Sequence, residues 1–158
     1  MMATQSAAGD GLMEERVFQG FEKNSTEQVV GLIQPFKGRW LAHVRVAVSS
    51  RDGDELIPTR KGVAIEVSRF KELRDAVHEL GNVASREKVV ARIEQTKRTE
   101  IRVGVNEFKG DILCYVRTFY KDGAEEEWKP GKGLSLRVDQ IEDLEQLVDE
   151  MGAALDSQ

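Results

Sequence analysis

The sequence predicts an α+β fold of two tandem units, each with four antiparallel strands and one helix, packed together as an intramolecular pseudo-dimer. Three observations support this prediction. One segment of the chain recurs further along, so that Phe36 of the first copy aligns with Phe108 of the second. We call the difference between these two residue numbers the repeat offset. Runs of β-branched and aromatic residues between turn residues are typical of antiparallel strands. In each copy the last of these runs is followed by apolar residues at helical spacing.

The repeat is carried by two pairs of matching segments. PFKGRWLAHVRVAV at 35–48 aligns with EFKGDILCYVRTFY at 107–120, and KGVAIEVSRFKELRDAVHELG at 61–81 aligns with KGLSLRVDQIEDLEQLVDEMG at 132–152. The first alignment continues to Pro58 and Pro130. One residue is lost between the two alignments, inside a predicted turn, and 15 of 44 aligned positions are identical. Self-similarity at a fixed period indicates a duplicated structural unit.

Each copy contains four predicted strands, identified from their β-branched and aromatic residues. Lys37-Gly38 and Lys109-Gly110 each form a tight turn between the first two strands, because glycine adopts positive φ without strain. The predicted strands lie at 27–34, 39–49, 55–59 and 62–67 in the first copy and at 100–106, 111–121, 126–129 and 133–138 in the second.

A helix is predicted after the last strand of each copy. Ser68 and Asp139 stand at its N-cap positions, where a side-chain oxygen can accept a hydrogen bond from the backbone. Gly81 and Gly152 stand where a left-handed residue commonly ends a helix. The apolar residues that repeat at helical spacing, and that we interpret as core, are Phe70, Leu73, Val77 and Leu80 in the first copy and Ile141, Leu144, Val148 and Met151 in the second.

The repeat divides the chain into five parts. A unit of roughly 50 residues buries too little surface to be stable alone, so we expect the two repeats to fold as one cooperative unit. The parts are a partly disordered N-terminal tail at 1–27, a first strand–helix repeat at 28–81, a helical connector at 82–98, a second strand–helix repeat at 99–152 and a C-terminal tail at 153–158.

Two segments outside the repeat also carry apolar residues. In the connector, Ser85 can cap a helix whose apolar side is formed by Val89, Val90 and Ile93. In the N-terminal tail, the apolar residues between positions 17 and 21 suit an additional strand of the first sheet. The sequence does not decide whether that strand forms.

Composition limits the class of protein. The formal net charge is -5, which excludes a protein-wide positive field, but the basic excess lies between positions 28 and 98. Cys114 is the only cysteine and cannot form an internal disulfide. No apolar run approaches the roughly 18 residues of a membrane span, and the N-terminus lacks the features of a secretory signal. We expect a cytoplasmic protein without membrane partners, nucleoid-associated if bacterial.

The residues of common catalytic and metal sites are not arranged for either purpose. His43 and His78 do not stand beside a cysteine or at metal-ligand spacing. Gly131-Lys132-Gly133 lacks the spacing of a phosphate-binding P-loop. The carboxylates of Glu125–Glu127 are more typical of a solvated turn than of a cation site. The sequence therefore predicts no catalytic residues, no metal site and no cofactor, and a protein that is not an enzyme.

Positive charge and aromatic rings recur on the predicted strands of both copies. Proteins that bind single-stranded nucleic acid need both, because cations neutralise phosphates while rings stack on unpaired bases. On composition alone, a second interpretation is favoured, in which the rings are half-buried sheet residues and the cations a solvated face. The order of the residues favours the first interpretation.

That order resembles the C-terminal domain of the transcriptional coactivator family known as positive cofactor four. The resemblance rests on Phe108-Lys109-Gly110 before a long strand, Val116-Arg117 within it and Phe119-Tyr120 near its end, followed by Lys129-Pro130-Gly131-Lys132-Gly133 and an acidic amphipathic helix. The first copy matches less fully. Its tandem arrangement is similar to that of the plant Whirly proteins and the purine-rich-element-binding repeat proteins.

The resemblance implies a curved four-stranded antiparallel sheet followed by a helix, with two sheets forming channels for single-stranded DNA. It implies binding with little sequence preference and a role in transcription regulation or DNA maintenance. RNA is the nearest alternative ligand, because stacking and phosphate contacts hardly distinguish the two sugars. A protein-interaction adaptor that has lost nucleic-acid binding is a second alternative. Further homo-oligomerisation stays open.

The nucleic-acid contacts expected from the resemblance and from the pattern of cations and rings form one set. Its members are Phe36, Lys37, Arg39, Arg45, Arg60, Lys61, Phe108, Lys109, Arg117, Tyr120, Trp128, Lys129 and Lys132. The two copies differ within this pattern, since Val48 occupies the position of Tyr120 and Ile57 that of Lys129. We therefore expect an asymmetric channel.

Overall fold

Two four-stranded antiparallel sheets, each followed by one helix, make up the computed structural model, which describes residues 13–83 and 88–157. This confirms the predicted α+β fold with two similar units. The first unit contains β1 (Arg16–Glu22), β2 (Glu27–Phe36), β3 (Arg39–Ser49), β4 (Leu56–Glu66) and α1 (Phe70–Val83). The second contains β5 (Lys88–Thr96), β6 (Thr99–Phe108), β7 (Asp111–Tyr120), β8 (Lys129–Arg137) and α2 (Ile141–Asp156).

Both sheets are meanders in which neighbouring strands follow one another in sequence, β1-β2-β3-β4 and β5-β6-β7-β8. Each sheet has four strands as predicted, but two of the four differ from the predicted strands. In each copy the predicted third and fourth strands are a single strand, β4 or β8. The chain does not turn there, because a bulge absorbs the extra residue: the register of β3 with β4 shifts after Arg45, and that of β7 with β8 shifts after Arg117.

The predicted helical connector is wrong from Lys88 onward, where β5 forms the edge strand of the second sheet. Ser85 lies outside the described residues. Val89, Val90 and Ile93 suit either a helix or a half-buried strand, and pairing with the open edge of β6 favours the strand. The connector residues that form β5 are thus part of the second unit.

The N-terminal segment adds a strand to the first sheet, which answers the question that the sequence left open. β1 pairs with β2, and Phe18 is buried against the core. The strands β1 and β5 are equivalent: Val17 pairs with Leu32 and Val89 with Gly104, and the repeat offset relates one pair to the other. The duplicated unit therefore begins earlier than the aligned segments indicated.

The predicted Lys-Gly turns connect β2 to β3 and β6 to β7. Lys37 and Gly38 have φ of 50° and 80°, and Lys109 and Gly110 have φ of 52° and 86°. Positive φ at both central residues is the conformation of a type I′ hairpin turn. Each turn therefore holds a lysine at the tip of a long hairpin, directly after an exposed phenylalanine.

The two units exchange their helices. α2 packs against β1 and β2 of the first sheet, while α1 packs against β5 and β6 of the second, and the two helices contact each other. At Gly31 of β2, an added Cβ would lie 2.5 Å from the Sδ atom of Met151 in α2. One continuous hydrophobic core therefore spans both units, as an intramolecular pseudo-dimer requires.

A pair of equivalent hydrogen bonds supports this exchange. Arg69, just before α1, donates from Nη1 to the carbonyl oxygen of Glu94 at 2.7 Å. Gln140, at the equivalent position before α2, donates from Nε2 to the carbonyl oxygens of Glu22 at 3.4 Å and Lys23 at 2.8 Å, and Glu22 is the counterpart of Glu94. In both cases the start of a helix is tied to the end of the other unit's first strand, so the two halves are related by a pseudo-two-fold axis.

The helix boundaries differ from the predicted caps. A short 3₁₀ turn precedes each helix, and Ser68 and Asp139 lie inside these turns rather than at an N-cap. Gly81 and Gly152 lie inside α1 and α2 rather than ending them. The glycines allow the helices to approach, because a Cβ at Gly152 would lie 2.7 Å from Nη1 of Arg74. Neither described helix is long and apolar enough to cross a membrane.

Candidate nucleic-acid interface

A groove of about 460 Å³ lies where β4 of the first unit runs beside β8 of the second. We call it the inter-unit groove. Four residues of the expected contact set line it: Arg45 and Arg60 from the first unit and Tyr120 and Lys132 from the second. The remaining lining residues are Gly62, Val63, Ala64, Thr118 and Gly131.

Arg45 and Arg117 are held in equivalent ways at the two bulges. Arg45 donates from Nη1 to the carbonyl oxygen of Thr59 at 3.2 Å, and Arg117 donates from Nη1 to that of Gly131 at 2.8 Å. Thr59 and Gly131 are therefore structural counterparts. The cations that directly follow them in the chain, Arg60 and Lys132, are counterparts as well. The counterpart of Lys132 is therefore Arg60 and not Lys61, which the sequence alignment had paired with it, and Lys61 is the residue without a counterpart in the second copy.

The inter-unit groove is positively charged. No carboxylate is among its lining side chains, and in the described part of the chain neither Arg60 nor Lys132 forms an ion pair with an acidic residue. Because Arg60 and Lys132 occupy equivalent positions in the two copies, the pseudo-two-fold axis passes between them. Tyr120 is 38% exposed, which leaves its ring accessible beside these cations.

His43 lies beside Arg45 and accepts a hydrogen bond from it. The donor is Nε of Arg45, 3.2 Å from Nδ1 of His43. Burial, together with the charge of Arg45, lowers the pKa of His43 to about 4, so the imidazole is a neutral acceptor at neutral pH. It adds no charge to this part of the first sheet.

Arg117 points into a second cavity, a pocket of about 450 Å³ on the face of the second sheet that is turned away from the helices. We call this face the outer face, and the cavity the sheet-two pocket. It is lined by Lys88, Val89, Val105, Asn106, Tyr115, Arg117, Phe119, Pro130 and Ser135. Of these, only Arg117 belongs to the expected contact set.

The sequence contains a signal for the pocket in the alternation of residues along β7. Tyr115, Arg117 and Phe119 alternate along β7 and therefore point to the same side of the sheet. Tyr115 and Phe119 have ring centroids 6.3 Å apart at an interplanar angle of 58°. Val89, whose strand partner Gly104 lies on this face, is missed when β5 is read as a helix.

Trp128 is half-buried beside three cations of the second unit. Its ring centroid lies 4.6 Å from Nζ of Lys121, 5.6 Å from Cζ of Arg102 and 5.9 Å from Cζ of Arg92. The guanidinium of Arg102 also lies 4.2 Å from the ring centroid of Phe119. Cation–π contacts of this kind fix both the rings and the arginines.

A buried carboxylate holds these arginines in place. Glu100 accepts hydrogen bonds from Nε of Arg92 at 2.7 Å and from Nε of Arg102 at 2.5 Å. Burial alone would raise the pKa of Glu100, but the hydrogen bonds and charges of the two arginines outweigh it and leave the pKa below its usual value. The carboxylate is therefore ionised at neutral pH, and the cluster keeps a net positive charge.

The two hairpin tips form a separate, equivalent pair. Phe36 and Phe108 are 51% and 57% exposed. Lys37 and Lys109 each place Nζ 5.3 Å from the ring centroid of the preceding phenylalanine. None of these residues lines the inter-unit groove or the sheet-two pocket. Arg39, at the first tip, forms an exposed ion pair with Glu66 at 3.3 Å.

Two lysines of the expected set are engaged with acidic residues. Lys61 lies 3.4 Å from a carboxylate oxygen of Glu27, and Lys129 lies 2.7 Å from one of Asp122. The hydrogen bond to Asp122 raises the pKa of Lys129. The structure therefore brings four expected residues together in the inter-unit groove and distributes the others over the sheet-two pocket, the Trp128 cluster, the hairpin tips and these ion pairs.

The described residues contain no cluster of three or more histidine, cysteine or acidic side chains that could hold a metal ion. Cys114 is buried in the core, and burial raises the pKa of its thiol to about 11. A thiol with this pKa is a poor nucleophile at neutral pH, because the thiolate is the reactive form.

Part of the second unit is similar to a known protein family. Residues 96–147 match the family model described as Transcriptional Coactivator p15 (PC4), which confirms the resemblance to the positive cofactor four family. A crystal structure of a PC4 homologue from Burkholderia pseudomallei is 21% identical and has a TM-score of 0.36, covering 44% of this chain and 90% of that chain. No curated protein matches the chain.

Proposed function

We propose that this chain is a non-enzymatic binder of single-stranded DNA that holds the phosphate backbone in the inter-unit groove. One observation carries the proposal. The groove combines Arg45, Arg60 and Lys132 with the ring of Tyr120, drawn from both units, and no carboxylate lines it. The match of the second unit to the PC4 family supports the same ligand class.

The chemistry of the groove fits a single strand better than a folded protein surface. Cations without acidic partners neutralise phosphates, and an exposed ring can stack on any unpaired base. Such stacking contributes about 1–3 kcal/mol per base. Duplex DNA does not offer the faces of its bases, so it would use only the cations. The net charge of -5 is compatible with this ligand because the positive charge is local.

Little sequence preference follows from the same groove. Its cations contact phosphates, which are common to every sequence, and a stacked ring does not distinguish base edges. A role in transcription regulation or DNA maintenance is part of the proposal, since both processes expose unpaired DNA. RNA is the alternative ligand that the test must separate from DNA.

Fluorescence anisotropy with labelled oligo-dT, matched RNA and duplex DNA, each titrated with salt, tests the proposal. With roughly 4–6 phosphates engaged, the slope of log affinity against log salt should be about -3 to -4 for the single strand. Duplex DNA should bind more weakly. A flat salt response, or equal affinity for duplex, would contradict the proposal, and tighter binding of RNA would transfer it to that ligand.

The double variant with Arg60→Ala and Lys132→Ala tests whether the strand binds in the inter-unit groove. Removing two phosphate contacts should make the salt slope shallower by about 1.4 while the protein stays folded, because both side chains are exposed. Lys71→Ala removes one positive charge and is the control for each of the two substitutions made singly, which should each make the slope shallower by about 0.7. Lys71 lies on α1, away from the groove, and pairs with Asp75 at 2.9 Å. An equal loss of slope in the control would show that the effect is one of net charge only.

A further inference from the structure

The outer faces of the two sheets differ in their aromatic residues although their backbones are equivalent. Register and the repeat offset relate each position of one sheet to one of the other. The second unit has aromatic rings at three positions where the equivalent positions of the first unit have none. Tyr115, Phe119 and Trp128 correspond to His43, Ala47 and Leu56.

The cations that surround these rings are also confined to the second sheet. Arg92, Arg102 and Lys121 correspond to Gly20, Val30 and Ser49. By contrast, the cations expected to contact phosphate occur in both copies, where Lys37, Arg45 and Arg60 correspond to Lys109, Arg117 and Lys132. The two units therefore share the cations expected to contact phosphates and differ in the aromatic residues that could stack on a base.

The space in front of Tyr115 also depends on the second unit. Its neighbour across the strand pair is Gly104, where an added Cβ would lie 2.6 Å from the Tyr115 hydroxyl oxygen and 2.5 Å from the carbonyl oxygen of Lys88. In the first sheet the equivalent neighbour of His43 is Leu32, which is only 3% exposed. An aliphatic side chain thus fills the place that the glycine leaves to the tyrosine.

The sheet-two pocket has the groups that a nucleobase requires. Phe119 supplies a ring whose orientation is fixed by Tyr115 and Arg102. The guanidinium of Arg117 donates to Oγ of Ser135 at 3.3 Å, so a donor and a hydroxyl lie together on the pocket wall. The exposed amide of Asn106, which also lines the pocket, can pair with a base edge.

We infer that the sheet-two pocket is a subsite for one unpaired nucleobase and that the first sheet lacks its counterpart. The inference rests on the proposed function and makes it more specific. One chain then binds one strand, reading bases with its second unit and holding only phosphates with its first. Because the units are not interchangeable, the strand lies in a single orientation, whereas a symmetric pair of sites would accept both.

Oligo-dT strands with one abasic position, moved stepwise along the sequence, test this inference by anisotropy at constant salt. The full chain should lose affinity at one position or one short run of positions, by about 5- to 150-fold. Two separated sensitive positions, related by the symmetry of the chain, would overturn the single subsite. Uniform sensitivity, or none, would overturn the pocket.

Phe119→Ala gives the second unit the residue that the first unit has. At the position assigned to the pocket, the variant should bind intact and abasic strands equally while its salt slope stays unchanged. Any loss at the base that stacks on Tyr120 should remain. Phe119→Leu, which keeps apolar volume without a ring, should behave in the same way and guards against a folding defect. Ile57→Ala is the control, because Ile57 is an exposed apolar residue of the first unit, and its abasic profile should equal that of the unaltered chain.

The outcomes separate the two proposals. Absence of salt-dependent binding to any single strand would overturn the proposed function and, with it, this inference. Normal salt-dependent binding that ignores every abasic position would overturn the inference alone. An abasic profile that survives both Phe119 variants would exclude the sheet-two pocket as its source.

Discussion

At the scale of single residues, equivalent positions show what each side chain adds to a shared backbone. The Lys-Gly turns could be predicted because a type I′ turn needs two residues with positive φ, and glycine supplies one. The structure gathers four members of the expected contact set in one groove, and their contact with nucleic acid stays a prediction. Residue type identified cations, but which of them face acidic partners, as Lys61 and Lys129 do, depends on strand register that the sequence does not reveal.

Tyr120→Ala should weaken binding of oligo-dT by about 1–3 kcal/mol, because the variant loses one stacking ring and keeps every cation of the groove. Tyr120→Phe should bind nearly as the unaltered chain does, since stacking needs the ring and not the hydroxyl. His78→Ala, on the helical side, serves as control and should leave the dissociation constant unchanged. Anisotropy at one fixed salt concentration measures all three, and an unaffected alanine variant would remove Tyr120 from the interface.

At the scale of elements, the helices were easier to predict than the edge strands. α1 and α2 show long amphipathic periodicity, which few other structures produce. β5 was mistaken for a helix because Val89, Val90 and Ile93 fit both periods over so short a segment. The sequence does contain a signal for β5 as a strand equivalent to β1. When VFQGFE at 17–22 is aligned with VVARIE at 89–94 by the repeat offset, the first and the last residues are identical, so the repeat extends to both edge strands.

Gly31→Ala tests the packing of α2 on the first sheet. The new methyl group would meet the middle of the Met151 side chain, and overpacking of this kind typically costs about 1–3 kcal/mol of unfolding free energy. Adding Met151→Ala should relieve the overlap, so the double variant should be less destabilised than the two separate losses predict. Urea unfolding of the unaltered chain, the two single variants and the double variant measures the coupling between Gly31 and Met151. Strictly additive losses would mean that the two residues do not touch.

His78 links the two helices and gives the fold a pH dependence. Its Nε2 lies 2.7 Å from Asp149 and its Nδ1 lies 3.3 Å from Glu145, while Arg74 also binds Asp149. The hydrogen bond to Asp149, with the two acidic charges, raises the pKa of His78 above its ordinary value. Its stabilising contribution is therefore complete below pH about 6.5 and is lost as the pH rises through the folded-state pKa.

The comparison of His78→Gln with the unaltered chain isolates that contribution. The variant should be less stable at pH 6 by about 0.2–1 kcal/mol, as for other solvent-screened pairs, and the difference should shrink by pH 8.5. Urea unfolding at the two pH values measures it. His43 titrates in the opposite sense, because its lowered pKa reduces stability as the pH falls from about 6.5 toward 4, so only the difference between the proteins is informative.

At the scale of the whole molecule, the exchanged helices make the two units one folding unit. Neither sheet is covered by the helix of its own repeat, and the core is continuous. Cooperative packing of the repeats could be expected from their small size. The exchange itself could not, because the apolar face of α1 would suit either sheet, and only the geometry of the connection and the fit of Gly31 to Met151 select the partner.

Unfolding should therefore be a single transition in both halves. Trp40 lies in the first unit and Trp128 in the second, so Trp40→Phe and Trp128→Phe each leave one fluorescent reporter. Both proteins should lose tertiary fluorescence at the same urea concentration, after correction for any change in overall stability measured by circular dichroism. Two reporters with transitions displaced from the circular dichroism curve would indicate independently folding halves.

The covalent joining of the two halves has a consequence for how such a protein can change over evolutionary time. In an assembly of identical subunits, every amino-acid replacement occurs twice, so a change that spoils one surface spoils its twin. Here a replacement alters one half only. A histidine can stand where the other half has a tyrosine, and the shared hydrophobic interior tolerates the inequality, so each surface is free to specialise while its twin preserves the original task.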